Sequence, residues 1–516
     1  MKKITLLLTV FGVFLTTAQT TIEKISEIEP LEIMCVYNDK LYFEANDGIN
    51  GAELWVTDGT SAGTEMFKDF NPNGHGYPYS FTVYNDKLYF HVNDGMHGYE
   101  LWVTDGTITG TQMLKDINPN GDGSPSGFTE CNGKLYFRAT DGVNGTELWV
   151  TDGTTTGTQM VKDINPNGDG DPFRFIEYNN KLYFVANDGI NGQELWTTDG
   201  TAAGTQMVKN INPNGFSNPN LFVKYNGKLY FGAYNGVSYG LWVTDGTTAG
   251  TQMLKDVYPT ANHRLVEHNG KLYFGADDGV NGVELWVTDG TVVGTQMVKD
   301  INPNGDGNPL FLTNYNGKLY FNATDGVHGY ELWVSDGTVA GTQMVKDINP
   351  NGDSSPNYFI EYNDKIYFRA NEGVNGVELW ESDGTDEGTI KIAPPIATGV
   401  SPLEDNNFFT VFKDELYFVA AFDGSGRSLW KVSTPTASTE EVNSIKISLY
   451  PNPVSDQLHI QTQEEITQIN LISFTGQLLQ TWSNTTTLNI SNYANGVYFL
   501  QINTQNTSTI EKIIKK

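Results

Sequence analysis

Leu135-Tyr136-Phe137-Arg138-Ala139-Thr140-Asp141-Gly142-Val143-Asn144-Gly145-Thr146-Glu147-Leu148-Trp149-Val150-Thr151-Asp152-Gly153-Thr154 reads as two short strands joined by a tight loop. Leu135, Phe137 and Ala139 alternate onto one face of the first strand. Asp141-Gly142 and Asn144-Gly145 supply residues that tolerate positive φ in a hairpin loop. Glu147 to Thr151 is the next strand. A second loop, Asp152-Gly153-Thr154 through Gly157-Thr158, leads to another at Gln159 to Ile164. Upstream, Phe128 to Cys131 runs into an Asn132-Gly133 turn, so four strand-length segments fill one unit.

The unit repeats. Its Leu-Tyr-Phe triplet, or a close variant, begins at Leu41, Leu88, Leu135, Leu182, Leu229, Leu272, Leu319, Ile366 and Leu416, at intervals of 47, 47, 47, 47, 43, 47, 47 and 50. Trp55, Trp102, Trp149, Trp196, Trp242, Trp286, Trp333, Trp380 and Trp430 keep step. One four-stranded sheet cannot bury both its faces, so successive sheets must stack, and a period of this length with four strands marks propeller blades. Leu and Phe are expected on one face and Tyr and Trp on the other, with each Trp packed between sheets. The ninth unit runs into a Thr/Pro/Ser stretch at Ser433 to Ser438 where its fourth strand should be. Thr21 to Pro30 aligns with Gly157 to Pro166 and is expected to supply that strand, closing the ring and removing its free edges. The fold class is therefore all-β: a propeller of nine four-stranded antiparallel blades, or eight with an irregular end, followed by a small Ig-like β-sandwich.

Glycine (55), tyrosine (26) and phenylalanine (27) are abundant in the 516 residues, and the net charge is −30. Such a surface excludes nucleic acid and anionic membranes as partners. Lys2 and Lys3, the apolar Ile4 to Leu15 and the small Thr16-Thr17-Ala18 form a signal peptide over 1–18, too short to stay as a membrane span. No later stretch reads as a transmembrane helix. The expected organisation is propeller 19–432, linker 433–443 and C-terminal domain 444–516. The two cysteines, Cys35 and Cys131, sit at different places in their units and read as isolated core thiols.

After the fourth strand comes a loop with oxygen side chains at its first, third, fifth and ninth positions and Gly at the sixth. The copies are Asp116, Asn118, Asn120, Ser124; Asp163, Asn165, Asn167, Asp171; Asp300, Asn302, Asn304, Asn308; and Asp347, Asn349, Asn351, Ser355. Six to eight oxygens on a curled loop suit calcium. Asn-Pro-Asn-Gly is equally a turn former without a metal. Arg174 stands where an EF-hand needs a bidentate Glu. The nine residues resemble the short calcium loops of integrin-type propeller blades.

Glu53 and Asp58 recur with their equivalents in most units, and their repetition points to turn geometry and strand-end hydrogen bonds. A catalyst needs one asymmetric constellation, and none of the seven histidines forms a spaced metal motif. No catalytic residue is assigned. Where copies differ, recognition or drift can act: after the triplet the residues are Glu44, His91, Arg138, Val185, Gly232, Gly275, Asn322, Arg369 and Val419.

From Ser444 the period stops. Seven strand-like segments follow within about 70 residues, as in a β-sandwich. Tyr450-Pro451-Asn452-Pro453, Gly476 after Phe474-Thr475, Gly496-Val497-Tyr498 and the terminal Lys512-Ile513-Ile514-Lys515-Lys516 resemble the type A C-terminal sorting domain of the type IX secretion system of Bacteroidota. That resemblance implies passage through the periplasm, recognition by the type IX machinery, cleavage of the domain, and release or attachment at the outer cell surface. Glu100-Leu101-Trp102-Val103-Thr104-Asp105-Gly106-Thr107 is similar to the Glu-Leu-Trp-x-x-Asp-Gly-Thr repeat family of exported proteins in the same bacteria, with Gly240 and Ser428 departing at the Glu. The expectation is a non-enzymatic binding or adhesion propeller for glycan or protein. The alternative is a polysaccharide-acting hydrolase or lyase on the same scaffold.

Overall fold

A computed structural model describes residues 21–31, 34–260, 264–393, 403, 409–424, 426–433, 448–462, 466–473, 478–504 and 508–516. The signal-peptide segment, Phe408, Phe474 to Gly476 and all of the linker beyond Ser433 lie outside them. The chain divides into two compact units, Thr20–Thr434 and one that includes Pro435–Lys516. Among the described residues every regular element is a strand.

In the repeat unit nine antiparallel sheets follow one another, with strands in consecutive order except in the ninth, whose outer strand comes from the N-terminal end. Blade 3, containing Leu135, is representative, with strands Ser126–Cys131, Lys134–Thr140, Thr146–Thr151 and Gln159–Lys162. In blade 6 the first strand is split into Tyr258–Pro259 and Val266–His268, where the preceding loop is shortened. The sheets are joined by a continuous series of apolar clusters. Tyr42, Leu54 and Val56 of blade 1 pack on Leu88, Phe90 and Trp102 of blade 2. Equivalent clusters join each later pair to Tyr367, Leu379, Phe418 and Trp430 between blades 8 and 9. Phe412, Tyr417 and Leu429 of blade 9 then meet Leu41, Phe43 and Trp55 of blade 1. The ninth interface closes the ring, and the blade number is nine.

Thr21–Ser26 is the fourth strand of blade 9, antiparallel to Ser428–Ser433 with Ile22 opposite Val432. Ile22 faces blade 8 and Ile25 faces blade 1, so the strand both pairs an edge and fills two interfaces. One expectation is corrected. Trp149 lies directly opposite Phe137 across the hairpin and shares its face, with Leu135 and Ala139, against blade 2; Tyr136 packs with Leu148 and Val150 against blade 4. Directly paired residues in an antiparallel ladder project to the same side, and the loop length sets that pairing.

The Asp-Gly-Thr loop locks neighbouring blades. Asp152 Oδ1 accepts from the Thr154 amide (2.9 Å) and hydroxyl (2.7 Å), and the Thr151 and Thr158 hydroxyls bond at 2.7 Å. Gly153 has φ +90°, and a Cβ there would stand 2.8 Å from Tyr89 Oη of the preceding blade. Only glycine satisfies both conditions.

In the C-terminal unit Ser448–Tyr450, Gln457–Gln461 and Thr487–Asn489 make one sheet. Leu478–Ser483, Ile466–Ser473, Gly496–Thr504 and Ser508–Lys515 make the other. Val454, Leu458, Ile469, Leu488, Leu500 and Ile513 are buried in one cluster. All seven expected strands are present, packed as a sandwich.

Candidate functional site

Chain direction alternates along a blade, so the loop between second and third strands and the loop leaving the fourth emerge at the same end. At this end each repeat carries a buried glutamate. Glu147, fully buried, accepts from the amides of Ile164 (2.9 Å), Asn165 (3.1 Å) and Gly170 (2.9 Å), wrapping the outgoing loop around its carboxylate. Glu53, Glu100, Glu194 and Glu284 each do the same with three equivalent amides or hydroxyls. Glu331 accepts from the Ile348 and Ser354 amides and the Ser354 hydroxyl. Burial pushes the Glu147 carboxyl up to about 7, with the three amides opposing it. The recurring Glu is therefore the acceptor that shapes the loop, as the repetition suggested; its amide partners were not foreseen.

The loop oxygens proposed for a metal divide by position. Asn118, Asn165, Asn302 and Asn349 close the loop on itself: Asn165 Nδ2 donates to the Asp169 carbonyl (3.0 Å) and Oδ1 accepts from the Asn167 amide (3.3 Å). Asn120, Asn167, Asn304 and Asn351 are exposed. At the ninth position Asp171 pairs with Arg138 (2.9 Å), Asn308 Nδ2 donates to Tyr330 Oη (2.9 Å), and the Ser124 and Ser355 amides bond to Tyr99 and Tyr330 carbonyls. Asp116, Asp163, Asp300 and Asp347 differ: each has a buried Oδ1 with no hydrogen-bond partner. In blade 8 the Lys391 ammonium lies 2.6 Å from Glu372 and 3.0 Å from Glu378, the counterparts of Asp141 and Glu147. Among the described residues no three His, Cys, Asp or Glu side chains group as metal ligands. Cys35 and Cys131 are free thiols, pushed up to about 11 by burial.

The copies diverge around the axis. First strands of neighbouring blades approach one another, so they line the centre of the ring. Each whole first strand begins with a register shift whose residue has positive φ: Ser80 (59°), Gly127 (71°), Arg174 (56°), Leu221 (59°), Phe311 (59°) and Tyr358 (55°). The backbone is shared and the side chain is not. A non-glycine residue there costs of the order of 1 kcal/mol, a strain kept at positions that present a side chain. Several of the variable post-triplet residues pair with this region: His91 opposite Tyr79, Arg138 opposite Ser126 and Arg369 opposite Asn357. His91 Nδ1 is 2.8 Å from the Pro125 carbonyl, and burial lowers its proton affinity. Glu44 and Asn322 at the same position are buried. A second, regular feature is a series of apolar loop tips, including Ile49, Met96, Val143, Ile190 and Val280, each more than 80 % exposed.

Residues 448–516 match the family model of the secretion system C-terminal sorting domain, Por_Secre_tail. This segment is a type IX C-terminal sorting domain. It directs the chain to secretion or the cell surface, and no helix among the described residues is long and apolar enough to cross a membrane. No curated protein matches the sequence. Among solved structures, puromycin hydrolase is 13% identical over 66% of this chain and 58% of its own, with a TM-score of 0.35. A prolyl endopeptidase structure is 11% identical over 78% and 55%, TM-score 0.36, and Pyrococcus horikoshii acylaminoacyl peptidase 11% over 67% and 57%, TM-score 0.31. The chain thus spans less than two thirds of the length of these structures.

Proposed function

We propose that the protein is a type IX cargo of Bacteroidota whose propeller, of the Glu-Leu-Trp-x-x-Asp-Gly-Thr repeat family, is a non-enzymatic binding module for glycan or protein. Its organisation is a signal peptide at 1–18, the propeller at 19–432, a linker at 433–443 and a sorting domain at 444–516. The observation that carries the reading is the break in symmetry at the axis. A framework repeated nine times holds different side chains, Ser80, Arg174, Leu221, Phe311 and Tyr358, in one unusual backbone conformation. Recurrent carboxylates are committed to blade structure, which favours binding over catalysis. The test is an array of surface polysaccharides and proteins probed with the mature chain, with product analysis of every bound polysaccharide. Binding without cleavage is expected. New reducing ends or unsaturated products would replace this reading with that of a hydrolase or lyase, and no ligand on either array contradicts it.

Calcium belongs to the same proposal, seated at the first aspartate of the loops rather than on the whole predicted set. Its support is the buried, unpartnered Oδ1 of Asp116, Asp163, Asp300 and Asp347, together with the ammonium that in blade 8 bridges the counterparts of Asp141 and Glu147. Millimolar calcium raises the melting temperature over chelator in this account; equal melting curves contradict it.

A further inference from the structure

Of the chain's five arginines, two, Arg264 and Arg369, lie beside one cleft on the first strands. That cleft, about 340 Å³, is lined by Arg264, Phe311, Leu312, Thr313, Tyr358 and Phe359. Phe311 and Tyr358 come from successive blades and are 40% and 38% exposed. Their rings stack with centroids 6.3 Å apart and planes 26° apart. Both sit at the positive-φ position, φ 59° and 55°, so the backbone is strained at the two residues that present this aromatic surface. The Arg369 guanidinium lies over the Tyr358 ring at 4.8 Å and its Nε donates to Asn357 Oδ1. Arg369 thereby holds the ring, while Arg264 is exposed.

The chemistry of the cleft selects its occupant. Polarised C–H bonds of a pyranose face pack on the negative face of an aromatic ring, and the two rings lining this cleft supply an apolar platform of that kind. A guanidinium beside the platform pairs in bidentate fashion with carboxylate or sulfate. On a chain of net charge −30 an anion finds few such places, so a local guanidinium discriminates strongly. We propose that this cleft is the subsite for an anionic sugar residue, its ring on Phe311 and Tyr358 and its acid group on Arg264. This rests on the binding-propeller reading and names the ligand class.

The mature full chain is titrated calorimetrically with tetragalacturonate (carboxylate), a κ-carrageenan tetrasaccharide (sulfate) and neutral cellotetraose. One of the two acidic probes is expected to bind at least about tenfold more tightly than the neutral one, and less tightly as salt rises. R264Q is expected to remove that preference and leave neutral binding unchanged; F311S is expected to weaken acidic and neutral binding together. Both residues are exposed, so the melting temperature stays constant and checks folding. Equal affinity for neutral and acidic probes, no binding of either acidic probe, or R264Q within about twofold of wild type overturns the inference. A ligand found on the arrays whose binding ignores Arg264 leaves the binding-propeller reading standing while this subsite falls; empty arrays remove both.

Discussion

Glu147 shows what one residue does in this fold. Its side chain is fully buried and supplies the acceptor for three backbone amides. Truncation to alanine strands those donors, and each buried unpaired amide costs about 1–3 kcal/mol. E147A is therefore expected to destabilise the protein by about 3 kcal/mol or more in urea unfolding. V143S, at a tip 83% exposed, changes it by less than about 0.5 kcal/mol. Comparable effects of the two would contradict the nest. The sequence carried a signal for this role: Gly240 replaces the glutamate in the unit whose loop is lost and whose spacing shrinks to 43. The loop sequence alone does not show that the Asn165 carboxamide bonds to the loop's own backbone.

Six such glutamates, at 53, 100, 147, 194, 284 and 331, are raised by burial to about 7 from 4.5. A carboxyl whose folded value is raised binds its proton more readily in the native state, so its contribution to stability falls as pH climbs from 4.5 towards 7. The capping Asp152 and its equivalents are lowered by hydroxyl and amide donors and lose stability only below their unfolded value of 3.8. Between those windows the glutamates dominate. The melting temperature is expected to be higher at about pH 5 than at about pH 8; a flat or opposite profile contradicts the assignment.

At the scale of elements, the closing strand was readable because the ninth unit lacks a fourth strand and Thr21 to Pro30 shares the Ile and Pro positions of a complete one. The face of the tryptophans was not readable, since cross-strand register depends on how many residues the Asp-Gly-Val-Asn-Gly loop absorbs. The closing strand places Ile22 and Ile25 in two different blade interfaces, 9% and 6% exposed. Replacing both with serine removes two buried side chains and is expected to cost about 4 kcal/mol, with earlier melting and more aggregation as the last blade's edge opens. An unchanged melting curve would mean that the ring does not close through this strand.

At the scale of the whole molecule, repetition and its interruption have separate causes. Interfaces demand the Leu-Tyr-Phe triplet, or Ile-Tyr-Phe in blade 8, and the Trp in every blade, with the Asp-Gly-Thr loop in the first eight, which is why the repeats could be counted from the chain. The axis demands only a backbone shape, so Arg174, Phe311 and Tyr358 could diverge, and that shape was invisible before the register shifts were seen. Export is a third, independent property of residues 448–516. In the proposed binding module recognition resides at the axis and stability elsewhere. This division is tested by a mature chain in which Arg174, Phe311 and Tyr358 are all replaced by glycine, compared with wild type on the same ligand arrays and in thermal melting. Unchanged or slightly raised melting is expected, because strain is relieved, with loss of ligand binding. Retained binding would contradict it.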